Sequence, residues 1–172
     1  ILVIYLMYEL CKGKDSFFFP FFQILPDVET ICDWSEQDLK DLQNEKLSNR
    51  AQNVYKHLRR TFERLSHRLY EKYPDIFLSE LHTWEKFMFS FKTLQARAFG
   101  KRLPWTALVP FADCLNHSNV QTKYDYNVDE NHLFRLFPSG ENKYFRGEEV
   151  FNSYGRRSNS NLLLEYGFAI QD

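Results

Sequence analysis

Apolar side chains recur at steps of three and four residues along two long segments of the chain. Over residues 47–69 one stripe is formed by Leu47, Ala51, Val54, Leu58, Phe62, Leu65 and Leu69. Over residues 83–99 a second stripe contains Trp84, Phe87, Met88, Phe91, Leu94 and Ala98. This period is that of an α-helix with one buried face. The pattern therefore predicts two long amphipathic helices.

Shorter signals predict further helices before these two. Residues 1–11 are apolar on all sides, and Lys12-Gly13 is a typical helix end. An aromatic stretch, FFFPFFQILP, follows and is bounded by Pro20 and Pro26. Ser35, with Asp38 three residues later, has the spacing of a capping box and predicts the start of a polar helix.

The pattern changes after Pro104. Short alternating or apolar runs, ALVPFAD, KYDYNV, HLFRLF and EEVFNSY, are separated by Asn, Asp, Ser, Pro and Gly. Such runs are typical of strands and turns. A last apolar piece, LLLEYGF, predicts a short helix that ends at Gly167. Helices in the first two-thirds and strands in the last third indicate the α+β class.

Length and charge narrow the function classes. At 172 residues the chain suits one domain, or one domain with a large insertion. Its 22 basic and 23 acidic residues give a net charge of −1, so no global field favours nucleic acid. The basic side of the first long helix is interrupted by Glu63, and we interpret it as a solvated face. Nucleic acid is therefore not expected as a partner.

Metal, membrane and disulfide signals are weak. The three cysteines form no CxxC pair, so we expect small buried thiols and a reducing compartment. The five histidines include no HExxH, so no metal is expected. The opening apolar run, about ten residues, is too short for a bilayer and lacks signal-peptide flanks. Because the chain begins inside this run without Met, we expect that something upstream is missing.

The stretch DCLNHS, residues 113–118, groups five reactive side chains. Cys114 and His117 could form a nucleophile and its base, but in an extended segment three residues apart they would face opposite sides. Asn116-His117-Ser118 also matches a glycosylation sequon, which we interpret as coincidence. Seventeen Phe and ten Tyr favour a bulky core or an aromatic-lined pocket, and the composition leaves both open.

The order of motifs resembles a known family. ALVPFADCLNHS, followed by GEEVFNSYGRRSNSNLLLEYGF, resembles the carboxy-terminal half of a SET domain. FFFPFFQILP with Asp33-Trp34, and the helix ending Ala96-Arg97-Ala98-Phe99, are similar to the two ends of a helical insertion in the Rubisco large-subunit methyltransferase-like subgroup. Within it, the runs NHSNVQTKYDYN, EEVFNSYG and LLEYGF look most like SET domain-containing proteins 4 and 6.

This resemblance implies a SET-domain β-fold with a pseudoknot, split by a mostly helical insertion. Residues 1–26 would be the end of the first SET segment, residues 27–100 the insertion, and residues 101–172 the carboxy-terminal SET segment. In such folds the Asn-His segment is threaded through a loop, an exception to the usual absence of threaded chains. The family's glycine-containing loop and helical substrate-binding domain would lie outside these 172 residues.

The resemblance also implies a reaction. S-adenosylmethionine would be the methyl donor and a lysine side chain of a protein substrate the acceptor, with the cytoplasm, the nucleus or both as the location. The alternative is a catalytically inactive SET-like module that binds a peptide or protein in its aromatic groove. Neither interpretation requires a metal or a membrane.

Particular residues match the family motifs. Tyr154 would be the catalytic residue, with a hydroxyl that orients the methyl group. At the amino-acid end of the cofactor, the resemblance implies that Arg97 contacts the carboxylate and that Asp113 lies nearby. At the other end, Asn116 and His117 would contact the adenosine, and Phe168 would pack on the adenine. The walls of the lysine channel would be Phe99, Tyr124 and Tyr166.

Overall fold

The computed structural model describes residues 1–100, 103–127, 133–140 and 143–171. The chain divides into two compact units. The first, the helical unit, contains Ile1–Ala96 and Asn159–Asp172; the second, the strand unit, contains Arg97–Ser158. This division reflects which residues pack together, whereas the three SET segments predicted from the sequence reflect the order of segments along the chain in the family. The three segments therefore stay a prediction.

The helical unit is built from six α-helices in its described residues. They are α1 (Leu2–Cys11), α2 (Phe19–Phe22), α3 (Glu36–Asp41), α4 (Glu45–Lys72), α5 (Trp84–Arg97) and α6 (Asn159–Tyr166), with a short 3₁₀ turn at Gly13–Asp15. The helices predicted from apolar periodicity are confirmed. α5 ends at Arg97, two residues before the predicted end, because the Phe99 amide donates to the Ala107 carbonyl instead, at 2.8 Å.

Two apolar clusters form the core of the helical unit. Ile31, Leu39, Leu47, Ala51 and Leu164 make the first cluster, and Met7, Leu58, Phe87 and Met88 make the second. Helix α4 contributes Leu47, Ala51 and Leu58, so one long helix carries both clusters. A fully buried leucine stabilises a fold by about 1.5–3 kcal/mol relative to an exposed one. The helical period of α4 thus directly positions the first and last segments of the chain.

Helix α3 begins as its sequence predicts. The Ser35 hydroxyl accepts from the Asp38 amide at 3.2 Å, and the Asp38 carboxylate accepts from the Ser35 amide at 3.2 Å. Both bonds of the capping box are therefore present. α4 has a different cap, because the Asn44 side chain accepts from the Leu47 amide at 3.0 Å.

The strand unit contains an antiparallel pair of strands. β1 (Thr122–Asn127) pairs with β2 (Leu133–Pro138) in a register that runs from Thr122 opposite Pro138 to Asn127 opposite Leu133. These strands confirm the predictions for KYDYNV and HLFRLF within the described residues; Val128 and His132 lie outside them. A second 3₁₀ turn covers Ala112–Cys114.

Two predicted strands are wrong. ALVPFAD has one bridging residue, Ala107, and EEVFNSY has one, Asn152. In the first run Pro110 has no amide proton to donate, and Phe111 turns the chain with a φ of 76°. In the second, backbone groups of Phe151, Ser153 and Tyr154 bond to side chains instead of a neighbouring strand.

The cysteines differ from the expected buried thiols. Cys114 is exposed, since it ends the 3₁₀ turn, and the prediction for it is wrong. Cys11 and Cys32 are partly buried, and this burial raises the pKa of each thiol. All three are free. None of the helices in the described ranges is long and apolar enough to cross a membrane.

Candidate functional site

The Asn-His segment runs parallel to the backbone at Asn152. The Asn152 amide donates to the Asn116 carbonyl at 2.8 Å, and the Ser118 amide donates to the Asn152 carbonyl at 3.2 Å. These two bonds bracket His117 and form an isolated parallel bridge. Two segments about 35 residues apart in sequence are thereby brought side by side.

The buried Asn152 side chain fixes this crossing. Its Oδ1 accepts from the Thr122 hydroxyl at 2.9 Å, and the Thr122 oxygen accepts from the Ser153 amide at 3.0 Å. Asn152 is only 5% exposed, so these bonds compensate for the loss of water around a polar group. Strand β1, which begins at Thr122, is thus attached to the residues just before Tyr154.

Tyr154 is held by contacts to its ring, its amide and its hydroxyl. Its ring stacks on the His117 ring, with centroids 5.0 Å apart and planes at 17°. Its amide lies 3.2 Å from His117 Nδ1, and its hydroxyl donates to the Leu115 carbonyl at 2.8 Å. Because this bond uses the hydroxyl proton, the phenolic oxygen presents acceptor lone pairs. The structure therefore unites Tyr154 with His117 of the DCLNHS stretch.

Arg97 and Asp113 form a second part of the site. Arg97 Nη1 donates to the Asp113 backbone carbonyl at 3.0 Å and lies 3.6 Å from Asp113 Oδ2. The Asp113 side chain is fully buried, and burial raises the pKa of its carboxyl group although Arg97 acts in the opposite direction. Oδ2 accepts no hydrogen bond from the described residues. A buried acceptor thus lies beside a guanidinium with further donors.

The remaining predicted residues are distributed over both units. The Asn116 side chain is exposed and donates to Glu149 Oε1 at 2.7 Å, so its backbone carbonyl is the group that faces Asn152. Phe99 packs edge-on against Tyr124, with centroids 5.2 Å apart. Tyr166 and Phe168 belong to the helical unit, where their centroids are 6.2 Å apart.

Sequence reasoning did not identify three of the residues that build this site. Phe134 packs on both Phe99 and Tyr124, with centroids 5.1 and 6.0 Å apart. Its signal was available, because Phe134 and Leu136 are the less exposed positions of an alternating strand. Asn152 and Thr122 were missed because their pairing depends on contacts 30 residues apart. The remaining clue was that Asn152 directly follows the apolar pair Val150-Phe151.

A metal centre has no support in the described ranges, where no group of three or more His, Cys, Asp or Glu side chains could hold an ion. The exposed Cys114 thiol lies near the Asp113 carboxylate, 3.8 Å from its Oδ1, whereas His117 stacks on Tyr154. The described contacts therefore do not pair Cys114 with His117 as a nucleophile and base.

Comparison with known proteins connects this arrangement to a family. No family model matches the sequence. The chain is 30% identical over 157 residues to the [fructose-bisphosphate aldolase]-lysine N-methyltransferase, chloroplastic, of Arabidopsis thaliana, covering 86% of the chain and 32% of that protein. It is 28% identical over 178 residues to human SET domain-containing protein 4, covering 95% of the chain and 40% of that protein.

Solved structures agree. Rubisco LSMT bound to AdoMet superposes with a TM-score of 0.81 at 29% identity, covering 98% of the chain and 38% of that chain. The SET domain of LSMT bound to lysine and AdoHcy superposes with a TM-score of 0.77 at 26% identity, covering 98% of this chain and 40% of that one.

Together, the fold and the ordered motifs define a SET-domain protein. Within that class, the chain is similar to the Rubisco large-subunit methyltransferase-like enzymes, as its sequence motifs predict. It spans 32% to 40% of the length of the curated relatives described above.

Proposed function

We propose that the protein transfers a methyl group from S-adenosylmethionine to a lysine side chain of a protein substrate. The observation that carries this proposal is the placement of Tyr154, whose ring stacks on His117 and whose hydroxyl donates to the Leu115 carbonyl. Support also comes from relatives named as lysine N-methyltransferases and from a solved relative bound to lysine and AdoHcy.

The residues present fit this cofactor. An amino-acid end carries an ammonium and a carboxylate, and the site offers a buried carboxylate oxygen without a described hydrogen bond beside an arginine. Arg97 and Asp113 would hold that end, while Asn116 and His117 would hold the adenosine. S-adenosylmethionine, when bound, supplies a methyl group bonded to a positively charged sulfur, and an amine nitrogen can displace that sulfur from the methyl carbon.

The chain's own residues would align the acceptor and keep it neutral. Methyl transfer forms a nitrogen–carbon bond as the sulfur–carbon bond breaks, so the nitrogen needs its lone pair and must first give its proton to solvent. Aromatic walls from Phe99 and Tyr124 would disfavour the charged ammonium. The Tyr154 hydroxyl hydrogen is used in the hydrogen bond to the Leu115 carbonyl. The Tyr154 oxygen would therefore accept weak hydrogen bonds from the methyl C–H groups and fix the orientation of the methyl group.

Lysine is the preferred acceptor, although one relative, the actin-histidine N-methyltransferase of Canis lupus familiaris, is 25% identical over 171 residues. Phe99 is buried, and Ala112, close to the Arg97–Asp113 pair in sequence, has a small side chain. A narrow apolar slot suits the long methylene stem of lysine better than an imidazole ring.

Substitution of the central tyrosine tests the proposal. Wild-type chain and Tyr154→Phe are incubated with methyl-labelled S-adenosylmethionine and a hypomethylated protein extract, and hydrolysed products are separated by chromatography. We expect labelled Nε-methyllysine with the wild type and a rate at least about 100-fold lower for Tyr154→Phe, a loss of the size seen when a preorganised polar contact is removed. Wild-type rates in Tyr154→Phe would contradict the assigned role, and labelled methylhistidine would contradict lysine as the acceptor.

Tyr144→Phe is the matched control. The Tyr144 hydroxyl also contacts backbone of the strand unit: it donates to the Phe151 carbonyl at 3.4 Å and accepts from the Phe151 amide at 3.3 Å, so this variant loses comparable structural bonds. We expect it to keep the wild-type rate within about threefold, because each neutral hydrogen bond contributes only about 1 kcal/mol to stability. An equal loss in both variants would indicate a structural effect.

We further propose that the protein acts in the cytoplasm, the nucleus or both. This proposal rests on the three free cysteines, since a reducing compartment keeps thiols unpaired. The first two relatives in the comparison are named as chloroplastic, which is a statement about those proteins.

A further inference from the structure

Helix α4 carries a row of positive charge along its exposed side. Lys56, Arg60, Arg64, Arg68 and Lys72, here called the basic ladder, are spaced by four residues and are all exposed. On an α-helix residues four apart are neighbours, and each step advances about 6 Å along the axis and turns about 40° around it. The ladder therefore winds as a row of five neighbouring cations along about 24 Å of the exposed side of α4.

The nearby acids do not neutralise this row. Glu63 pairs with Arg59 at 3.0 Å, and Glu71 pairs with His67 at 3.1 Å. Within the described parts of the chain, no ion pair forms at Lys56, Arg60, Arg64 or Arg68. Like charges four residues apart destabilise a helix, so this arrangement favours an anionic partner that binds along it.

An open groove adjoins the same helix. It has a volume of about 910 Å³ and is lined by apolar Val54, Leu58 and Phe91 together with Lys46, Arg50 and His57, among others. Lys46 and Arg64 are 18 residues apart, as are Arg50 and Arg68. Because 18 residues make five full helical turns, Lys46 and Arg50 lie on the same side of α4 as Arg64 and Arg68, and His57 of the groove lining adjoins Lys56 in sequence. Groove and ladder thus form one continuous surface.

We propose that this surface binds an acidic, amphipathic segment of a partner protein. Apolar side chains of that segment would enter the groove between Val54, Leu58 and Phe91, and its carboxylates would lie along the basic ladder. Binding of an amphipathic segment in an apolar groove with charged edges is a common mode of peptide recognition. The proposal concerns a surface of the helical unit and is independent of the methyl-transfer chemistry.

A polypeptide partner explains the groove better than a nucleic acid does. Single-stranded nucleic acids bind where aromatic faces offer stacking next to basic groups. Besides the His57 imidazole, the groove lining contains one aromatic ring, that of Phe91, which is only partly exposed, and its other apolar residues are aliphatic. A chain with net charge −1 also lacks the excess positive charge typical of nucleic-acid binders.

Charge reversal on the ladder tests the proposal. Binding of a fluorescently labelled copolymer of glutamate and leucine to the full chain is measured by anisotropy for the wild type, Arg60→Glu/Arg64→Glu and Lys14→Glu/Lys40→Glu. The second double variant changes the net charge equally at exposed positions of the helical unit outside α4. We expect the dissociation constant to rise at least about tenfold for the ladder variant and at most about twofold for the control. Equal effects, or none in the ladder variant, would overturn the proposal.

Two further probes separate the groove from charge alone. We expect labelled polyglutamate and a labelled oligothymidylate each to bind the wild type at least about fivefold more weakly than the copolymer, because neither has aliphatic side chains for the groove. Polyglutamate binding equal to that of the copolymer would exclude a role for the groove. Tighter binding of the oligonucleotide would identify a nucleic-acid surface instead. Arg60→Gln/Arg64→Gln, which keeps the helical pattern without new charge, should show a smaller loss in the same direction.

Discussion

At the scale of single residues, Tyr154 shows how one side chain is oriented by several weak contacts. Stacking on His117 fixes the ring plane, and the bond to the Leu115 carbonyl fixes the hydroxyl. Each contact contributes only about 1 kcal/mol, yet together they restrict a side chain that has two rotatable bonds. Tyr154 is therefore oriented by contacts within the strand unit.

Glu9 is a buried carboxylate whose ionisation supports the helical unit. Its oxygens accept from the Ser16 hydroxyl at 2.6 Å and from the Lys12 ammonium at 3.0 Å. The Ser16 hydrogen bond is the largest influence on the pKa of Glu9 and lowers it; burial acts to raise it, and the contacts with Lys12 lower it again. The net result is a pKa below the usual 4.5.

Glu9→Gln should destabilise the fold by about 1.5–3 kcal/mol at pH 7, because it removes the charge from a hydrogen-bonded carboxylate. Below pH 4.5 the unfolded wild type binds its proton before the folded state does, so wild-type stability falls as the pH falls through the lowered pKa. The difference in free energy of unfolding between the wild type and Glu9→Gln should therefore be largest above pH 4.5 and should shrink below it. Urea unfolding at a series of pH values measures this difference.

The control for this experiment is Asp15→Asn, which neutralises an exposed carboxylate in the neighbouring 3₁₀ turn. A surface substitution of this kind should change stability by less than about 0.5 kcal/mol. A gap for Glu9→Gln that is the same at all pH values would show that the carboxylate contributes through packing and not through its charge.

The residues that sequence motifs could identify differ from those they could not. Tyr154, His117 and Asp113 belong to short ordered motifs, and their contacts with one another or with Arg97 follow where the motifs meet. Asn152 and Thr122 belong to no such motif. The hydrogen bond between them forms only once β1 and the segment at Asn152 lie side by side. No local sequence pattern predicts a contact between residues 30 positions apart.

At the scale of elements, α6 depends on the glycine that follows it. Gly167 has a φ of 80°, and its amide donates to the Leu162 carbonyl at 3.1 Å, which ends the helix. A Cβ at this position would lie 1.9 Å from the Glu29 carbonyl oxygen. The close approach of two backbones therefore requires glycine here.

Gly167→Ala should destabilise the fold by about 3 kcal/mol or more, because left-handed strain and overpacking each cost about 1–3 kcal/mol. Gly13→Ala is the matched control, since Gly13 also has a positive φ, of 57°, but an alanine methyl group there would meet nothing within 4 Å. The control should lose only about 1–2 kcal/mol. Chemical denaturation midpoints measure both, and equal losses would refute the role of the Glu29 contact.

Helices were more predictable than strands for a physical reason. The stripe on α4 and the caps at Ser35 and Asn44 are encoded within a few turns of sequence. The runs ALVPFAD and EEVFNSY have the length and residue types of strands, but a strand also needs a partner with free backbone groups. A strand does not form where a proline lacks the amide proton or where side chains already bond the backbone amides, although the sequence pattern predicts one.

At the scale of the whole molecule, the first and last segments share the helical unit. Leu164 of α6 packs with Ile31, Leu39, Leu47 and Ala51, so residues from both ends of the chain complete one core. The three predicted SET segments and the two compact units thus describe different properties of the same chain. Because the chain spans 32% and 40% of the two curated relatives compared above, its activity as a whole protein stays a proposal.

Titration calorimetry with S-adenosylhomocysteine tests the central claim most directly, namely that this chain carries a cofactor site built on Arg97, Asp113 and the Asn-His segment. We expect saturable binding to one site in the wild type and little change in Tyr154→Phe. In Arg97→Gln the dissociation constant should be at least about tenfold higher, because a hydrogen bond to a charged group contributes about 1.5–3 kcal/mol. No binding to the wild type, or equal binding to Arg97→Gln, would contradict the account.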